Sequence, residues 1–288
     1  MNKTVIKDKT KLINTLLELS ANKTNVFRGF SYDRQMLPQI IRLSKTKREK
    51  EILADFEKYA FQYINTNSII GFVSNAQHYG LPTRLLDFTH NPFVALFFAI
   101  YDTKVNSYVT EADEADYYFI RYCDLNEQIS IKGFPKAYNI EMRNYELESY
   151  ANLSIKAFDE LEDLYNGKLD DEHMKGYLAS CLNVTEEDTK TKLAESIEFI
   201  KRDKLLFVDP DFTNEKIHMQ QGLFFVSPLL KESNIEETIK NNTKIICISK
   251  ELRLELLEFL DGMGINTFKL MPDLHSVSNE IKRKYRIS

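Results

Sequence analysis

Residues Ala76–Asp102 read AQHYGLPTRLLDFTHNPFVALFFAIYD, and the fold turns on how this stretch divides. A helical run over Ser68–Tyr79 ends at Gly80 and Pro82, where a glycine past the last helical residue closes a helix and a nearby proline stops its continuation. Arg84–Thr89 then has the character of a buried strand, and Asn91-Pro92 supplies an N-cap and a first-turn proline for a helix over Phe93–Tyr101. That helix is apolar nearly all round, which places it centrally. Gln77, His78, Tyr79, Arg84, Asp87 and Thr89 are thereby gathered around one turn between buried elements. Unpaired polar groups cost a few kcal/mol in such a place, so the set is either satisfied there or used there, and it reads as the floor of a ligand site. Arg84 and Asp87 stand three apart on a strand, hence on opposite faces: one faces the site while the other braces the scaffold.

Upstream, Leu12, Ile13, Leu16 and Leu17 form a helical stripe leading into a short strand, Asn25–Phe30. Thr46 with Glu49 reads as a capping box for a helix whose apolar face carries Ile52, Leu53, Phe56, Tyr59 and Tyr63. Downstream, a strand is expected over Asp116–Cys123. Leu125–Lys204 is acidic with apolar positions at helical spacing, such as Leu147, Tyr150, Leu153 and Leu161. Strands return at Leu205–Val208, Gly222–Ser227, Lys244–Ser249 and Asn266–Leu270, with a helix Glu251–Met263 between the last two. Strands separated by helices without strict alternation indicate an α+β fold with a mixed or mostly antiparallel sheet. The chain divides into an N-terminal half, residues 1–124, a helical insertion, 125–203, and a C-terminal half of the same domain, 204–288.

Composition narrows the classes. With 288 residues, 43% hydrophobic and 28% charged, the chain can bury a full core. Net charge is -5, so no global field draws it to nucleic acid, and the basic clusters Lys45–Lys50 and Lys282–Arg286 read as solvated helix faces. The three cysteines, Cys123, Cys181 and Cys247, are dispersed and odd in number, which fits reduced core thiols and neither a disulfide framework nor a zinc knuckle. No run of eighteen apolar residues and no signal peptide stand out, so a soluble cytoplasmic protein away from membranes is expected. GxxxxGK[ST], GxGxxG after a strand, HExxH and GxSxG are all missing from the sequence, and with them the usual nucleotide hydrolases, dehydrogenases, zincins and α/β-hydrolases.

The sequence instead carries Val26-Phe27-Arg28-Gly29-Phe30, an arginine and a glycine at the exposed end of a short apolar strand. An arginine there can pair with a diphosphate and a glycine admits a ligand to the backbone; the plainer alternative is an Arg–carboxylate pair and a turn glycine. Together with AQHYGLPTRLLDFT, Asn91-Pro92, Ala95–Ala99 and a closing run that includes Ile248–Lys250, Gly264–Asn266 and Leu270–Leu274, this resembles the FRG domain family, with Met271 where the family usually has Phe.

FRG proteins look like a divergent branch of the ADP-ribosyltransferase fold. The resemblance implies NAD as substrate, with no metal. Arg28 would hold its diphosphate, Gly29 its nicotinamide amide, and Thr89 with the Pro92–Ala99 helix would buttress the pocket. Phe27, Gln77, Arg84 and Asn91 complete the NAD-binding set. Tyr79 is expected to stack on the nicotinamide or a target base, and His78 to contact a phosphate or the acceptor. Where such enzymes place a glutamate before a late strand, this chain has Gln221. Catalysis then falls to another carboxylate, Asp87 or Glu215, or the fold binds a nucleotide or nucleic acid without turnover. The acceptor would be RNA, DNA or protein, and a transferase of toxin or anti-phage type would need a neutralising antitoxin or chaperone-type partner.

Overall fold

The computed structural model describes residues 3–31, 36–44, 48–60, 62–64, 69–101, 117–131, 205–208, 215–226 and 232–285. Their strands are β1 (Lys3–Ile6), β2 (Asn25–Phe30), β3 (Leu85–Thr89), β4 (Tyr117–Asp124), β5 (Ile129–Ile131), β6 (Leu206–Val208), β7 (Gly222–Val226) and β8 (Lys244–Ser249). They form one sheet in the order β1-β8-β4-β2-β3-β7-β6-β5, parallel at the two outer pairs and antiparallel within. The α+β class with a mixed, mostly antiparallel sheet is the observed one.

The helices are α1 (Lys9–Ala21), α2 (Gln39–Arg42), α3 (Glu49–Ala60), α4 (Ile69–His78), α5 (Pro92–Ile100), α6 (Glu215–Met219), α7 (Glu232–Asn242), α8 (Arg253–Gly262), α9 (Thr267–Leu270) and α10 (Leu274–Tyr285). Local chemistry sets the ends that matter. Asp8 caps α1 by accepting from Lys11 N at 2.7 Å. At the end of α4, Gly80 takes φ +92°, and the amides of Gly80 and Leu81 donate to the carbonyls of Gln77 and Ala76 at 3.0 Å each. This is a Schellman closure, completed by apolar packing of Leu81 near Ala76.

Side-chain alternation along the strands builds three apolar clusters. One face of the sheet carries a single core that runs across both halves: Val26, Phe30, Leu86, Phe88, Leu223, Phe225 and Cys247 under α2 and α7. The opposite face carries two. Phe27, Ile120, Ile246 and Ile248 pack beneath α1, α5 and α8; Leu85, Phe224 and Val226 pack with Leu53 of α3, Val73 and Ala76 of α4 and Ile217 of α6. The two meet where β2 and β3 are joined at a single register pair, Phe27 opposite Thr89.

Arg84 enters β3 as a fully buried cation. Its Nε donates to both oxygens of Glu49 in α3, at 2.9 and 3.1 Å, and its Nη2 to Oε2 of the same carboxylate. Glu49 is thus a buried partner of the sheet, and Thr46 of the expected capping box lies outside the described residues.

Elsewhere the sequence reading is corrected. Residues 267–270 are a helical turn, because Asn266 caps it by accepting from Lys269 N. Residues 125–131 are a 3-10 turn and the edge strand β5, so the helical reading of that stretch begins too early; its remainder, 132–204, lies outside the described residues. Strand β1, parallel to β8, and helix α7 were not read from sequence. Among the described residues no helix is long and apolar enough to cross a membrane. Cys123 and Cys247 are free and buried, and burial, with Asp124 and Glu127 nearby, pushes the Cys123 thiol up to about 12; Cys181 is outside the described residues.

Removing one member of a buried ion pair strands the other. Glu49→Ala is expected to destabilise the protein by about 3–5 kcal/mol, read as a lowered denaturant midpoint, whereas a change at exposed Glu51 should cost less than about 1 kcal/mol.

Candidate functional site

A cleft of about 370 Å³ opens between the two apolar clusters of the divided face. Its floor is the split in the sheet: Phe27, Arg28 and Gly29 of β2 on one side, Asp87, Phe88 and Thr89 of β3 on the other. Val94, Ala95 and Phe98 of α5 form one wall; Ser74, Gln77 and His78 of α4 form another. Lys216 and Ile217 of α6, Gln220 and Met271 close the third side, and Arg42 approaches from the end of α2.

The polar groups are held in a defined order. Arg28 Nη1 donates to the main-chain oxygen of Asp87 at 2.7 Å, filling with a side chain the place where a β2–β3 ladder bond would otherwise stand, and lies 3.9 Å from Asp87 Oδ2. Thr83, fully buried, accepts from Leu85 N at 3.2 Å and donates to Gln77 Oε1. The Gln77 amide is thereby turned so that Nε2 donates to Asp87 Oδ1 at 2.9 Å. Thr89 Oγ1 donates to Gln220 O at 2.7 Å and accepts from Asn91 N at 3.0 Å, while Gln220 Nε2 donates to Leu270 O at 2.8 Å. The residues before and after the long middle segment are thus fastened together across the cleft.

Burial pulls the Arg28 guanidinium down to about 10, against the attraction of Asp87 and with Arg42 adding repulsion; it stays charged at neutral pH but poorly hydrated. His78 is held below its ordinary value, first by burial and then by Lys216, with Asp273 opposing. Among the described lining residues Arg28, Arg42 and Lys216 stand with one carboxylate, Asp87. A cleft with this balance of charge in its described lining favours an anionic ligand.

Of the residues expected at the site, Phe27, Arg28, Gly29, Gln77, His78, Asp87 and Thr89 line the cleft together. Four do not. Arg84 braces the scaffold through Glu49, so of the two strand residues on opposite faces Asp87 is the one at the site. Asn91 spends its side chain capping α5, accepting from Phe93 N at 2.9 Å. Tyr79 lies past the end of α4, 66% exposed, with its ring edge-on to His78 and outside the lining. Gln221 adopts φ 49° in the turn from α6 to β7 and points to solvent; its neighbour Gln220 lines the cleft in its stead.

Gly29 also has a different reason from the one expected. A Cβ there would overlap the Ala95 carbonyl oxygen and lie 2.7 Å from Ala99 N, so the missing side chain admits helix α5 rather than a ligand. Arg42, Lys216 and Gln220 were not singled out from sequence. The only signal for Arg42 is a charged residue directly after the buried pair Ile40 and Ile41.

This is an α+β protein with a cationic cleft in a divided sheet. Residues 23–107, which span β2 to α5, match the family model of the FRG domain, so this part of the chain is similar to that domain. No curated protein and no solved structure matches it.

Two outcomes follow from the geometry. Gly29→Ala should force α5 off the sheet, costing about 1–3 kcal/mol or more and lowering the melting temperature together with ligand affinity. Since burial and Lys216 hold His78 below its ordinary value and a bound anion would favour its charged form, affinity for an anionic ligand should rise as pH is lowered into the acidic range, and that rise should vanish in His78→Gln when titrated by calorimetry.

Proposed function

We propose that the cleft binds NAD and that the protein transfers its ADP-ribose to a macromolecular acceptor, RNA, DNA or protein. The observation that supports this over simple nucleotide binding is Asp87. Among the described lining residues it is the one carboxylate, with Oδ1 fixed by Gln77 and Oδ2 3.9 Å from Arg28. Glycosidic cleavage builds positive charge on the ribose, and a carboxylate already held in place by Gln77 and Arg28 stabilises that charge with little reorganisation. The glutamine before β7 is then no obstacle, because the carboxylate comes from β3.

In the transfer, the bond between ribose C1′ and the nicotinamide nitrogen breaks and nicotinamide leaves with the bonding pair. A nucleophilic oxygen or nitrogen of the acceptor forms the new bond to C1′, and its proton passes to Asp87 and on to solvent. Arg28 holds the diphosphate. A volume of about 370 Å³ is at the lower end of the roughly 300–1,000 Å³ of ligand sites, so part of the dinucleotide would extend beyond the cleft. Such an activity drains NAD and modifies host molecules. It therefore fits an effector of toxin or anti-phage type that a partner holds silent.

The test uses purified protein, adenine-labelled NAD and a cell lysate, with the labelled product then digested separately by protease and nuclease. Label sensitive to one digestion names the acceptor. Asp87→Asn should lower turnover about 100–1,000-fold with NAD affinity close to wild type, whereas Arg28→Ala should lose affinity. Tight NAD binding with neither labelled product nor released nicotinamide, with activating partners supplied by the lysate, would make the cleft a binding module instead.

A further inference from the structure

Arg42 has no part in the scheme above, yet it is built into the same cleft. It is the last residue of α2, directly after Ile40 and Ile41, which anchor that helix in the continuous core. Its Nε is buried and has no hydrogen-bond partner among the described residues. Arg28 comes to the same cleft from β2, and the two positive charges are close enough for Arg42 to disfavour the charged form of Arg28.

Among the described lining residues Asp87 is the one carboxylate beside these two cations. Asp87 gives one oxygen to Gln77 and stands 3.9 Å from Arg28, while Lys216 adds a third cation to the lining. Neighbouring like charges repel one another, the buried Nε of Arg42 is an unused donor, and an anion between the two guanidiniums would relieve both costs. Two guanidiniums that enter from different elements, β2 and α2, can each engage a separate phosphoryl group, whereas orthophosphate offers both the same centre.

We propose that Arg42 and Arg28 together form a pyrophosphate subsite, in which Arg42 grips the second phosphoryl group and makes the cleft select diphosphates over monophosphates and nucleosides. The inference deepens the reading of the cleft as an NAD site and rests on it for the identity of the whole ligand, but not for the diphosphate chemistry.

The experiment is calorimetric titration of the full chain with inorganic pyrophosphate and, separately, orthophosphate. Wild-type protein should bind pyrophosphate at least about tenfold more tightly than orthophosphate. Arg42→Gln should weaken pyrophosphate binding about 10–100-fold and leave orthophosphate binding within about threefold, erasing the preference. Arg42→Lys, which keeps the charge but not the fork, should restore only part of it. That variant also carries the comparison if Arg42→Gln melts early. Equal wild-type affinities for the two anions, or pyrophosphate binding unchanged in both variants, would overturn the subsite. Pyrophosphate selectivity that depends on Arg42 in a protein that never turns over NAD would uphold the subsite and remove the transferase reading.

Discussion

The structure depends on a ladder that is not completed. β2 is hydrogen-bonded along its whole length to β4, but β3 meets it only at Phe27 and Thr89. A gap between two central strands exposes main-chain groups that must find partners or pay for burial. Arg28 meets part of that demand by donating to the Asp87 carbonyl. The same act draws a guanidinium into the middle of the sheet and sets a carboxylate beside it. The defect in the sheet and the chemistry of the cleft are thus one feature.

Everything around the gap keeps it from closing. A continuous core on one face holds the two halves of the sheet together, while the other face is covered by two separate helical layers that leave the cleft between them. Gly29 lets α5 sit directly on β2, so the wall on that side is main chain and cannot collapse inward. The buried pair of Arg84 and Glu49 ties α3 to the start of β3 on the other side. Thr83 and Gln77 then carry that fixed position to Asp87. Rigid elements placing a few polar groups are what pre-organised electrostatics requires.

Much of the sheet could be read from sequence, because β2, β3, β4, β7 and β8 are short apolar runs bounded by turn residues, and Gly80 with Asn91-Pro92 marks the ends of two helices. β1 escaped because four residues carry too little pattern; its place comes from pairing with β8, far along the chain. The 267–270 turn escaped because one capping asparagine outweighs an apolar alternation of that length. At the site, sequence reading found the residues near Phe-Arg-Gly and missed those delivered by tertiary packing. Spacing alone could not tell Gln220 from Gln221, since only the left-handed backbone at Gln221 decides which of the two faces inward. Nor could it separate Arg84 from Asp87 beyond putting them on opposite faces.

The cleft is also spread unevenly in time. Its first walls, β2, α4, β3 and α5, emerge from the ribosome early, but Lys216, Gln220 and Met271 come only after the long middle of the chain, and β1 must wait for β8 before the sheet has its outer edge. A nascent chain therefore carries the arginines and Asp87 long before it carries a finished site. Whatever the cleft binds, it can bind only once the C-terminal part of the chain has been made and packed.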